Sequence, residues 1–247
     1  MPRLGRREFL GQALAASGAV AASWALPAGA QSAATAANER LGVALIGCGM
    51  MGMGHLGRCL GDRSVQLLAV CDVDQSRREE ARRRADAAYA EQRASGTYRG
   101  CAAYNDYREV LARPDLDGVL IATPDHWHSL QAADAARAGK DVYCEKPVSL
   151  SLQEGRRLAE VVRTYARVFQ TGTQYRSMVT TRRICQFVRD GGLGPVRHAF
   201  AIWSKCEGSY VPGNPALVAE PVPEGLDWDL WVGPAPWRPY NRRYHRN

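Results

Sequence analysis

Apolar and polar positions alternate along the middle of this chain in a repeating cadence. Short apolar runs at residues 41–46, 65–71, 116–122, 141–144 and 167–170 each end in a polar turn. Such runs read as buried strands, too short for helices and flanked by Gly, Pro, Asp or Thr. Between them lie segments with helical character. One follows the glycine cluster at 47–52, and a second opens at a Ser76/Glu79 capping box and runs to about residue 93. Others are expected at 106–112, at 129–138 before Gly139, and from a Ser151/Glu154 capping box to about residue 165. Strand followed by helix at this spacing predicts an α/β fold with a mostly parallel, doubly wound sheet of the Rossmann type. Beyond it, 180–190 reads as a helix ended by Gly191-Gly192, and 194–203 as the first strand of a new sheet.

In such a sheet, ligands bind beyond the carboxyl ends of the strands, where every polar turn of this cadence falls. The first turn carries Gly47-Cys48-Gly49-Met50-Met51-Gly52. Gly47 permits a tight turn, Gly49 lets the backbone approach a pyrophosphate, and Gly52 lets the helix pack on the strand. With Met50 and Met51, these residues open a helix whose N-terminal amides suit phosphate oxygens. The second strand ends at Asp72, twenty residues past Gly52, where an acid accepts from ribose hydroxyls. Strand, glycine turn, helix, strand and acid in this order predict a dinucleotide site. Asp72 would repel a 2′-phosphate, so NAD is favoured over NADP. Arg77 and Arg78 lie just beyond it and read either as solvent-facing helix residues or as phosphate partners.

Composition changes the picture at the N-terminus. Residues 1–7 are basic, 9–26 are apolar or small without charge, and small residues follow at 27–30. That is the three-part pattern of an export signal, followed by a polar spacer at 31–40. Arg6-Arg7 within Gly5-Arg6-Arg7-Glu8-Phe9-Leu10 resembles the twin-arginine signal, which implies the twin-arginine export machinery as a partner and a periplasmic or otherwise exported destination. The formal charge of +7 includes +2 from this leader, and the remainder is diffuse. It allows steering of an anionic ligand but makes no nucleic-acid footprint. No later segment has the length and apolarity of a membrane span. The seven cysteines are scattered without a CxxC pair, so neither a disulfide framework nor a zinc site is expected.

Three strand-end motifs make the reading more specific: Gly47-x-Gly49-x-x-Gly52, Thr123-Pro124-Asp125-x-x-His128 and Glu145-Lys146-Pro147. Together they resemble the Gfo/Idh/MocA oxidoreductases, the glucose–fructose oxidoreductase and inositol dehydrogenase-like family. Residues 172–176 (Gly-Thr-Gln-Tyr-Arg) and 226–234 resemble its exported bacterial branch. The resemblance implies an NAD(P)-binding domain at 41–175 and, from 176 to 247, a connecting helix and the start of a second α/β domain. That domain is expected to carry a mainly antiparallel sheet, much of the substrate site and the homo-oligomer contact. Residues 176–247 are short for it, so a C-terminally incomplete second half is expected.

The resemblance also implies roles for individual residues. Lys146 is expected to be the acid/base group for a substrate hydroxyl, partly desolvated beside the cofactor. Glu145 reads as an orienting or ribose-binding residue rather than an independent acid. Thr123 and Pro124 are expected near the adenine-ribose or pyrophosphate, and His126 and His128 on the nicotinamide side. The two histidines also fit structural packing, while metal binding lacks a third ligand, so no metal is assigned. Trp127, Gln174, Tyr175 and Arg176 fall on the substrate side. The tryptophans at 228, 231 and 237 suit either a sugar-stacking wall or an aromatic anchor for a loop. Together these readings imply hydride transfer on a sugar, cyclitol or polyol. The alternatives are an NAD-dependent, redox-neutral glycoside hydrolase and a nucleotide-binding remnant without turnover.

Overall fold

The computed structural model describes residues 40–201 and 217–245. The leader at 1–30, the spacer up to residue 39 and the end of the 194–203 strand lie outside the described residues, as does the loop sequence up to residue 216. Six parallel strands form one sheet in the order β3-β2-β1-β4-β5-β6. They are β1 (Leu41–Ile46), β2 (Val65–Cys71), β3 (Ala102–Tyr104), β4 (Gly118–Ile121), β5 (Asp141–Glu145) and β6 (Phe169–Gly172). The chain reverses its direction of progress between β1 and β4, which pair from Val43↔Gly118 to Ile46↔Ile121. That topological switch places a crevice over the carboxyl ends of these two strands.

The core follows from the period of two along each strand. Ala44 and Ile46 face one apolar cluster with Val119, Ile121, Val142 and Cys144. Leu45 faces the other, with Leu56, Leu67, Val70 and Ala81. Helix α1 (Met50–Gly61) and α2 (Gln75–Ala88) cover the second face. The first face is covered by α4 (Tyr107–Leu111), α5 (Asp125–Arg137) and α6 (Leu152–Thr164), after the short α3 (Ala90–Ala94).

The structure corrects several sequence expectations. Helix α2 is capped by Asp74, not Ser76; the Asp74 carboxylate accepts from the backbone N–H groups of Ser76 and Arg77. It ends at Ala88 because Tyr89 turns inward, where its hydroxyl accepts from Leu67 N–H at 3.3 Å. The motif 123–128 is not all loop. Pro124 is the cap, and the helix starts at Asp125, four residues before its expected start. Proline's fixed φ and an acid in the first turn both favour a helix start there. The described part of the 194–203 segment forms no strand and is exposed, because no neighbouring strand among the described residues takes its hydrogen bonds.

Among the described residues, two further helices follow the sheet. Helix α7 (Val179–Arg189) has no buried residue. The short α8 (Trp228–Val232) packs Trp228 and Val232 with Leu226 and Tyr240 in a small separate core. Its flanks bind the strand ends: Asp227 N–H donates to Val73 C=O at 3.0 Å, and Gln75 N–H to Gly225 C=O at 2.9 Å. No described helix is long and apolar enough to cross a membrane.

Candidate functional site

A cavity of about 680 Å³ opens over the β1/β4 switch point. Its floor is the glycine turn. Gly47 has φ +92°, and a Cβ there would lie 2.6 Å from the backbone of Ala122, so only glycine fits. A Cβ on Gly52 would overlap the Gly47 carbonyl oxygen, which is how closely α1 sits on the turn. Gly49 caps α1 without a side-chain partner, and Met50 and Met51 line the cavity beside it. The first amides of a helix have no partner within it, so this turn is built for anionic oxygens. The cradle fits a dinucleotide pyrophosphate.

Asp72 lines the same cavity, but it also braces the turn. Its Oδ2 accepts from Cys48 N–H at 2.7 Å and its Oδ1 from Asp74 N–H at 2.9 Å. Burial raises its pKa, against the opposing pull of these two amides. Neither neighbouring arginine is an idle surface residue. Arg78 donates to Asp72 C=O at 3.0 Å and Asn105 Oδ1 at 2.9 Å. Arg77 lies 3.7 Å from Asp74 and donates to His245 C=O at 3.0 Å.

The β4 end presents Thr123, Pro124 and the first turn of α5, all lining the cavity. Thr123 donates its hydroxyl proton to Gln131 Oε1 at 2.7 Å. His128 is almost fully buried, its ring nitrogens 2.8 Å from Thr123 C=O and 2.7 Å from Pro147 C=O. It therefore ties the β4 turn to the β5 turn. His126 Nε2 donates to Trp231 C=O at 3.0 Å, and burial holds its pKa below the ordinary histidine value. Trp127 is buried and directs its indole N–H to the carbonyls of Leu230 and Trp231, both at 3.2 Å.

At the β5 end the Lys146–Pro147 peptide is cis, and Glu145 and Lys146 both line the cavity. Lys146 is exposed. It makes no ion pair with Glu145. The Glu145 carboxylate is instead buried against His55, with Nε2 to Oε1 at 2.8 Å, and it accepts Gln174 Nε2 at 3.3 Å. Arg58 Nη1 lies 3.3 Å from His55 Nδ1. A guanidinium only donates, so Nδ1 accepts and Nε2 carries the proton toward Glu145. Tyr175 and Arg176, in the 3-10 turn Gln174–Ser177, are exposed and do not line the cavity.

Sequence reasoning missed His55, Asn105, Tyr244 and His245 as cavity or support residues. For His55 a signal was present: with Gly52, Leu56 and Cys59 it occupies i, i+3, i+4 and i+7 positions on the buried face of α1. A polar residue on such a face calls for a partner. Trp237 is largely exposed and away from the cavity, whereas Trp231 lines it. Among the described residues, no three His, Cys, Asp or Glu side chains gather as a metal site.

Two family models match the chain. One, an oxidoreductase family with an NAD-binding Rossmann fold, matches residues 41–173, and the other, a C-terminal alpha/beta domain of an oxidoreductase family, matches 179–247. A glycosyl hydrolase family 109 protein of Stenotrophomonas maltophilia is 34% identical over 199 residues, covering 78% of this chain and 40% of the relative. Myo-inositol 2-dehydrogenase from Lactobacillus plantarum matches at 25% identity and TM-score 0.52, over 63% of this chain and 42% of the other. Scyllo-inositol dehydrogenase from Lactobacillus casei, solved with NAD(H) and scyllo-inositol, has TM-score 0.54 at 23% identity over the same shares, a likeness of fold alone. The chain thus spans about two-fifths of the length of these relatives.

Proposed function

The chain belongs to the Gfo/Idh/MocA oxidoreductase family, and from that premise we propose that the protein is an NAD-dependent enzyme that moves hydride between the cofactor and a carbinol carbon of a sugar, cyclitol or polyol. The observation that carries this reading is the meeting of the glycine turn, Asp72 and Glu145-Lys146 around one cavity. In this reading the turn amides of Gly49, Met50 and Met51 hold the pyrophosphate, and Asp72 accepts from ribose. Bound NAD supplies the hydride acceptor. Lys146 Nζ takes the hydroxyl proton as the carbinol is oxidised and returns one in reverse. Glu145, held by His55, fixes the strand end from which Lys146 projects. Arg77 and Arg78 already have carboxylate and carbonyl partners, which supports NAD over NADP.

A second reading is redox-neutral glycoside cleavage, and the glycosyl hydrolase family 109 name of the 34% identical relative favours it. Oxidation of a ring carbinol near the anomeric carbon would acidify the C–H beside the new carbonyl. Loss of that proton and of the aglycone would break the glycosidic link, water would add across the resulting double bond at the anomeric carbon, and the hydride would return to the carbonyl. Both readings use Lys146 and the same cofactor site. Residues 1–30 support placing the protein outside the cytoplasm, and of the tryptophans at 228, 231 and 237 it is Trp231 that lines the cavity.

The test is a titration of the purified chain with NAD and NADP by calorimetry, followed by a polyol and aryl-glycoside panel. NAD binding with NADH formed from a polyol supports the first reading. Free sugar released without net NADH supports the second. No saturable binding of either nucleotide removes both.

A further inference from the structure

We propose that Trp231, Tyr244 and His245 form the adenine-binding face of the cleft, so that a segment outside the parallel sheet grips the half of the cofactor that takes no part in the chemistry. This rests on the nucleotide reading above. Three observations carry it.

The first is that segment 225–245 is held across the mouth of the cavity at both of its sides. On the β2 side, Leu226 bridges Asp74, Asn105 Nδ2 donates to Asp227 Oδ2 at 3.0 Å, and Arg77 donates to His245 C=O. On the α5 side, His126 and Trp127 both donate to Trp231 C=O, so in this inference they stand at the adenine end and not on the nicotinamide and substrate sides expected from the sequence. Trp228, Tyr240, Leu226 and Val232 give the segment its own core. It is a built wall.

The second is position. Asp72 marks the ribose, and the base must continue from it, away from the glycine turn and its pyrophosphate. Trp231, Tyr244 and His245 line the cavity together with Asp72, Val73 and Arg77.

The third is chemistry. Trp231 stacks on Trp228 with centroids 4.6 Å apart and planes at 11°, while His126 and His245 meet its ring edge-on at 5.5 and 6.3 Å. The indole is thereby fixed as a flat wall. Two cations line this end as well: Arg77, engaged by Asp74 and the His245 carbonyl, and the exposed Arg243; the flat rings are what the segment adds beside them. Flat aromatic walls hold nucleobases by stacking.

The experiment measures NAD and ADP-ribose affinities by calorimetry for the full chain and for Trp231→Leu, His245→Ala and His245→Phe. Trp231→Leu is expected to weaken both ligands by about tenfold or more, as expected for loss of a stacking partner. His245→Ala is expected to weaken both by a smaller factor, and His245→Phe to restore them. Unchanged ADP-ribose affinity in both Trp231→Leu and His245→Ala overturns the inference and leaves the nucleotide reading intact. So does a loss for NAD that ADP-ribose does not share, because the wall would then serve the nicotinamide half. A wild-type chain that binds neither ligand removes the nucleotide reading itself, and the inference with it.

Discussion

His55 and Glu145 meet through Nε2 and Oε1 at 2.8 Å, each about 4% exposed, although they stand ninety residues apart in the chain. One comes from the helix after the glycine turn and the other from the end of β5. The pair therefore locks the helix that follows the glycine turn to the strand end that carries Lys146.

Removing the imidazole takes the shortest hydrogen bond from a buried carboxylate and leaves it the 3.3 Å contacts from Gln174 Nε2 and the Lys146 N–H. His55→Ala is expected to destabilise the chain by about 3 kcal/mol, the scale for breaking a buried charged partnership. His55→Gln keeps a donor near Glu145 and is expected to cost about 1 kcal/mol. Urea denaturation of the two variants measures the difference. Equal losses would mean that the hydrogen bond is not what His55 contributes.

The glycines of α1 are expected to divide sharply. Gly52→Ala drives a methyl into the Gly47 carbonyl, so α1 must shift, at a cost of about 3 kcal/mol together with loss of NAD binding. Gly54→Ala meets nothing within 4 Å and should stabilise the helix by about 1 kcal/mol. Thermal melts with and without NAD give both numbers.

Lys146 is exposed, so its replacement should leave the fold nearly untouched. Lys146→Met is expected to lower turnover by about a hundredfold or more while NAD affinity changes less than about threefold. Stopped turnover with lost cofactor binding would assign the lysine to the cofactor instead.

Acid should loosen the segment across the cleft. Burial lowers the pKa of His126, partly opposed by the Trp231 carbonyl; burial and then Arg77 lower that of His245, opposed by Asp74. The unfolded chain then binds protons that the folded one refuses. The stability involved is present above the unfolded value of about 6.5 and is lost as pH falls below it. Melting temperature is expected to drop between about pH 7 and pH 5, and the His126→Gln/His245→Ala double variant should flatten that slope. An identical slope in the double variant would place the proton uptake elsewhere.

What the sequence determined by itself was local. The apolar runs and their turns specify a parallel sheet because strand period, helix capping and glycine conformation act over a few residues. The glycine turn, Asp72, and the polar residues at the β4 and β5 ends were legible for the same reason. Even the misplaced start of α5 was a local matter, where Pro124 and Asp125 had to be weighed against a run of polar residues. Tertiary structure alone decided which partners those residues have. His128 ties two turns, Glu145 pairs with His55 rather than Lys146, and residues 225–245 return to the cleft. Each depends on the lateral order of strands and on where a distant segment docks. A hydrogen bond across ninety or a hundred residues leaves no periodic trace in the chain, since its geometry exists only once the sheet has brought the strand ends side by side.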